Sequence, residues 1–77
     1  MLFRSYEIII PENWDNRTLG DLLDPVKQCY PVALSRAGRS FLPENSTSLK
    51  ANDLLNVSST FEGIGVLTAR LAKKAEA

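Results

Sequence analysis

Residues able to do chemistry are few here, and their types exclude more than they suggest. The 77-residue chain contains no histidine and one cysteine, Cys29. One thiol without imidazoles cannot complete a four-ligand zinc site. Nor can Cys29 form an internal disulfide, and among Gln28, Tyr30 and Pro31 it reads as a small core residue. Asp15, Asp21 and Asp24 lie close together in sequence, but next to a short helical pattern they read as caps and solvated acids, not as a catalytic pair. Gly63-Ile64-Gly65 follows a strand pattern and opens a helix. It lacks the third glycine and the long strand-helix-strand unit of a dinucleotide fingerprint. Arg36 and Arg39 flank a tight turn, where a guanidinium could meet an anion or simply discourage edge pairing. Tyr30 and Trp14 read as core, lid or interface aromatics. No group is placed for nucleophilic or acid–base work, and a non-enzyme is expected.

Nine basic and nine acidic residues cancel. A nucleic-acid partner, which needs a basic face, is not expected. Lys73-Lys74 reads as the solvated last turn of a helix, where cations suit the dipole. No apolar run approaches the ~20 residues of a membrane helix, and Ile8-Ile9-Ile10 is a strand fragment. With no signal-like apolar region at the start and one free thiol, the expected location is cytoplasmic. The length allows one small domain over residues 1–77. Such a domain hides only about 60% of its unfolded surface, so association with a twin or a larger protein is expected.

The elements that would position these residues follow from periodicity. Residues 3–12 read as a strand with Tyr6, Ile8 and Ile10 on one face and Ile9 on another, partly covered one; Pro11 ends it. Residues 18–23 read as a short helix with Thr18 and Asp21 as a capping box and Leu19, Leu22 and Leu23 as its apolar face. Residues 28–36 read as a strand with Tyr30, Val32 and Leu34 on one side and Cys29, Pro31, Ala33 and Ser35 on the other. Ala37-Gly38 reads as a two-residue hairpin turn, with the return strand over 39–42 and Pro43 ending it. A polar loop spans 44–50. Residues 53–58 read as a strand with Leu55 and Val57 on one side and Leu54 and Asn56 on the other. Residues 59 to about 74 read as a helix capped by Ser59 with Glu62, with Ile64, Leu67 and Leu71 as its stripe and Val66 alongside. Gly63 and Gly65 should weaken its start or mark a close packing contact. The tail from Ala75 is expected to fray. The order β-α-β-β-β-α predicts an α+β domain, a mainly antiparallel sheet packed with two helices.

One stretch carries a resemblance. Val32-Ala33-Leu34-Ser35-Arg36-Ala37-Gly38, then Pro43, Thr47, Leu49 and Asn52-Asp53, then Leu54-Leu55-Asn56-Val57, resembles the TrkA-C (RCK-C) domain. Its pattern is a "VAIxRxG" strand and turn, a "PxxxTxLxxGD" loop and an "LLVxG" strand. The first helix also occupies the family's place, with Asn16 where Gly is common, and Asn52 stands at the Gly of "GD". The resemblance covers nearly the whole chain. It implies a regulatory, ligand-sensing and dimerising domain of potassium or related cation transport, acting through a membrane-embedded transporter or channel subunit. It also implies a homodimer and a small ligand, a cyclic dinucleotide or a cation. Ligand contacts would come from the stretch 24–31 with Pro43 across the hairpin, which here offers Asp24, Lys27 and Tyr30, with little positive charge. Arg36 and Arg39 complete the candidate set. The alternatives are a dimerisation module without ligand, burying Tyr30, Ile9 or Leu54 against a twin, and a regulatory domain of another membrane transporter.

Overall fold

The computed structural model describes residues 2–72. β1 (Arg4–Ile9) is followed by a single 3-10 turn over Glu12–Trp14, then α1 (Leu19–Leu23), β2 (Cys29–Arg36), β3 (Arg39–Phe41), β4 (Leu54–Ser59) and α2 (Phe61–Ala72). The four strands form one antiparallel sheet in the order β1-β4-β2-β3. The fold is thus the α+β class read from the pattern. The predicted end of the second helix at Lys74, the Lys73-Lys74 turn and the fraying tail lie outside the described residues.

Both helices pack on one side of the sheet. Leu55 and Val57 of β4, Leu34 and Cys29 of β2, and Leu67 and Leu71 of α2 join Leu19, Leu22 and Leu23 of α1 in one buried cluster with Ile10, Trp14, Val26 and Leu49. Tyr6 and Ile8 pack against its margin. Ile9, pointing the other way, is 65% exposed, not partly covered. The reason is architectural: there is one helix layer, so the sheet's second face is open.

The predicted faces of β2 do not hold along its whole length. Pro31 lies opposite Val57, yet Ala33 lies opposite Asn56, which leaves Val32 as the extra residue of a bulge. A bulge sets two residues against one and shifts the alternation by one step. Cys29, Pro31 and Leu34 therefore share the core side, while Tyr30, Val32 and Ala33 turn outward. Proline, which has no N–H to give a ladder, suits this interruption.

The helix ends follow from capping. Thr18 caps α1 as predicted, its Oγ1 accepting from the Asp21 N–H. Asp21 does not reciprocate, and its carboxylate instead approaches Arg17 at 3.6 Å. The cap of α2 is Thr60 rather than Ser59, because Ser59 is drawn into the sheet between Arg4 and Cys29. Thr60 Oγ1 accepts from the Gly63 N–H, so Glu62 is not the box partner. At the far end of α2, Arg70 donates to the Asp21 and Leu22 carbonyls. Those carbonyls end α1 without helical partners, and Arg70 satisfies them. Its guanidinium also lies over the ring of buried Trp14, whose Nε1 donates to the Arg70 carbonyl.

The two helical glycines have opposite meanings. A Cβ on Gly63 would come within 2.5 Å of Ser59 Oγ and 2.9 Å of the Lys27 and Gln28 carbonyls, so α2 packs on backbone here. A Cβ on Gly65 would meet nothing within 4 Å. Gly63→Ala is expected to destabilise by about 2 kcal/mol or more through this overpacking. Gly65→Ala should stabilise by about 1 kcal/mol from helix propensity alone. Urea unfolding of the two variants checks both signs.

Candidate functional site

The connection from β3 to β4 is a strap laid along the start of α1. The N–H groups of Leu19 and Gly20 donate to the carbonyls of Thr47 and Asn45, and Leu49 and Asn16 exchange further bonds with Arg17 and the strap. Pro43 and Leu49 are buried beneath it. The strap ends at Asn52, whose φ of 72° is left-handed. Asparagine tolerates that region better than most residues, so the turn expected of "GD" forms without glycine. Asn16 does the same at φ 68°.

Asp53 follows and is 2% exposed. Arg36 binds it with a two-pronged contact, Nε to Oδ1 at 2.9 Å and Nη2 to Oδ2 at 2.6 Å. The same Nη2 donates to the Ser48 carbonyl at 2.8 Å, and the Lys50 N–H donates to Asp53 Oδ2 at 2.9 Å. The Arg36 guanidinium also lies over the Phe41 ring. Burial pushes the Asp53 carboxyl up. The bonds from Arg36 and the Lys50 N–H, with the two positive charges, outweigh it and hold the group below the usual carboxylate range. The bond to Asp53 raises the Arg36 guanidinium in turn. Arg36 is thus a fork closed on a carboxylate. The sequence offered it as an edge charge or an anion contact; its partner lies 17 residues on, and the reading missed it.

The remaining predicted residues do not converge. Asp24 is the exposed C-cap of α1, and Lys27 is exposed in the turn before β2. Tyr30, 57% exposed on the outer face, stacks on Phe3 with centroids 6.0 Å apart. Arg39 is exposed and pairs across the hairpin with Arg36. Six residues of strand, about 20 Å, separate the Tyr30 end of β2 from the Arg36 end. Asp24 lies beside Gly20 and Asn45 of the strap, Lys27 on the helix side and Tyr30 on the outer face; Arg36, Arg39 and buried Pro43 lie toward the hairpin.

Of the predicted residues only Lys27 lines a shallow groove of about 270 Å³ between the turn before β2 and the first turns of α2, with Pro25, Gln28, Glu62, Gly63 and Val66. An adjoining hollow of about 450 Å³ shares Gln28 and Glu62 and adds Leu2, Thr60 and Phe61. Bare Gly63 lets α2 approach closely enough to form this wall. Cys29 lies buried just behind; burial pushes its thiol up, and a bond with Ser59 offsets this in part. Among the described residues no cluster of three His, Cys, Asp or Glu could hold a metal, and no helix is long and apolar enough to cross a membrane. Comparison with family models finds no match, and comparison with curated proteins finds none.

Asp53→Asn is expected to cost about 2 kcal/mol. That is below the ~3–5 kcal/mol of a fully buried pair, because water reaches the arginine, whose side chain is 37% exposed. Because the folded carboxyl titrates below its unfolded value near 3.9, its contribution is present above that pH and lost as pH falls through the folded value. Acid unfolding of wild type should show this loss below about pH 4, and Asp53→Asn should lack it.

Proposed function

We propose that this domain is a regulatory, self-associating module of a cation transport system, with a small-ligand groove beside α2 and no catalysis of its own. The observation that carries the reading is the Arg36–Asp53 pair. It joins the "xRxG" turn to the "GD" corner, the two stretches on which the resemblance to TrkA-C domains rests. Asn16 and Asn52 add support, because both adopt the left-handed backbone that explains glycine at those points of the pattern.

In this role the domain acts on the cytoplasmic side of a membrane through an embedded transporter or channel subunit. A ligand binding one geometry of the pair more tightly than another biases the attached transporter by that difference in affinity. The groove takes one wall, Pro25, Lys27 and Gln28, from the stretch from which the resemblance draws ligand contacts, and the other, Glu62, Gly63 and Val66, from α2. Lys27 offers a cation to a phosphate, and Glu62 an anion to a cationic ligand. In this reading Arg36 serves the fold, its Nε and Nη2 engaged by Asp53.

Thermal unfolding against nucleotides, cyclic dinucleotides and mono- and divalent cations tests the sensing role. A ligand at about 100 times its Kd adds roughly 2.7 kcal/mol. For a chain of this length that is a rise of about 10 °C or more. The expected result is such a rise with at least one ligand, reduced in Lys27→Ala if the ligand is anionic and in Glu62→Gln if it is a cation. No rise across the panel contradicts the sensing role.

A further inference from the structure

The two edges of the sheet differ. The β3 edge is blunt: the strand has three residues, begins at Arg39 and is followed closely by Pro43, and short edges with charge and proline discourage pairing. The β1 edge has six residues, about 20 Å of strand, with no proline and no bulge in its pairing with β4. Ile10 donates to the Asp53 carbonyl and accepts from the Asn52 N–H, so its backbone groups turn inward to the sheet. By the alternation of an antiparallel ladder, those of Ile8, Tyr6 and Arg4 also turn inward, and those of Ser5, Glu7 and Ile9 turn out to the free edge. Among the described residues no segment bonds to them. Apolar surface is unfinished at the same margin. Tyr6, Ile8 and Ile64 are only half-buried against the core. Glu62 and Val66 of α2 face the turn before β2, so Ile64, nearly opposite them around the helix, lies on the flank toward β1.

We infer that the β1 edge takes an extended segment of another protein as an added strand, with a lysine or arginine opposite Glu7 and apolar residues opposite Tyr6 and Ile8. This surface is separate from the groove beside α2 and needs neither a ligand there nor a twin. Backbone groups select the occupant's conformation. Only an extended chain presents donors and acceptors at the spacing of Ser5, Glu7 and Ile9, and in strand addition those main-chain bonds supply the affinity. Side chains select its sequence, because residues directly opposite each other share a face. Glu7 is exposed at the centre of the three outward-bonding residues, and a cation across from it is favourable. On the helix face, apolar side chains of the added strand extend the core over Tyr6, Ile8 and Ile64 and remove their remaining surface from water. A second copy of this chain fits less well. The two-fold pairing centred on the three outward-bonding residues sets Glu7 directly against Glu7, and like charges so placed repel.

The probe is a synthetic capped peptide, Ser-Thr-Val-Lys-Ile-Thr-Ser, whose antiparallel docking sets its Lys opposite Glu7 and its Val and Ile opposite Ile8 and Tyr6. Backbone amide resonances and hydrogen exchange of the wild-type chain are followed as the peptide is added to millimolar concentration. The expected result is a saturable change centred on Ser5, Glu7 and Ile9, with exchange at these amides slowed. The same peptide with Glu in place of Lys should bind about threefold or more weakly. A peptide N-methylated at its Lys loses the donor to the Glu7 carbonyl and should bind at least about tenfold more weakly. In Glu7→Lys the order of the Lys and Glu peptides should reverse. No saturable change at the three edge amides overturns the inference, and so does an N-methylated peptide that binds as well as its parent. Equal affinity for the Lys and Glu peptides overturns the charge selection. Changes centred on Lys27, Gln28 and Val66 place the peptide in the groove instead and overturn the edge assignment. Edge amides already protected in the free chain and released on dilution assign the edge to a second copy and overturn it as well.

Discussion

A carboxylate sealed from water must find donors nearby; the Asp53 carboxylate finds them in two parts of the chain, and its backbone is held by a third. Its own carbonyl accepts from Ile10 at the end of β1, its carboxylate takes the fork of Arg36 from β2, and the Lys50 N–H closes the turn before it. Arg36 carries the tie onward to the Ser48 carbonyl of the strap. Because the strap caps the start of α1, one ion pair sets the relation of hairpin, strap, first helix and central strand. Removing either partner leaves the other facing a site built for opposite charge, which is why a pair that adds little net stability still specifies one arrangement.

The end of the first helix is held by a different device. The guanidiniums of Arg17 and Arg70 both lie over the Trp14 ring, and Arg70 also satisfies the carbonyls that end α1. A five-residue helix is far too short to persist alone. Here α1 is tied at its start by the strap and at its end by Arg70, so its stability is borrowed from both. With the helix layer so fixed on one side, the sheet has nothing over its other side. The open face is thus a consequence of the two-layer design.

Much of this was legible in the chain. Alternation along residues 3–10 and 54–58, the Ala37-Gly38 turn, the Thr18 cap and the Leu67–Leu71 stripe each depend on local periodicity or local bonding, and each formed within a residue or two of expectation. What was not legible depends on pairing between distant segments. Ser59 looks like a cap until two neighbouring strands claim it. Val32 looks like a partner of Leu34 until the register against β4 slips at Pro31. The candidate ligand set shows the same limit. Arg36 and Asp53 meet because β2 pairs with β4, with Ser35 opposite Leu54, and the strand order cannot be read from any window of residues. A proline inside an otherwise regular strand was the one local sign that the alternation would fail there.

The central claim is that Arg36 and Asp53 act as a unit. A double-mutant cycle of Arg36→Met, Asp53→Asn and the combined variant, followed by urea unfolding, measures that coupling directly. The account predicts a coupling of at least about 1 kcal/mol, with the double variant no less stable than the worse single one. Additive losses, with a coupling near zero, would contradict it.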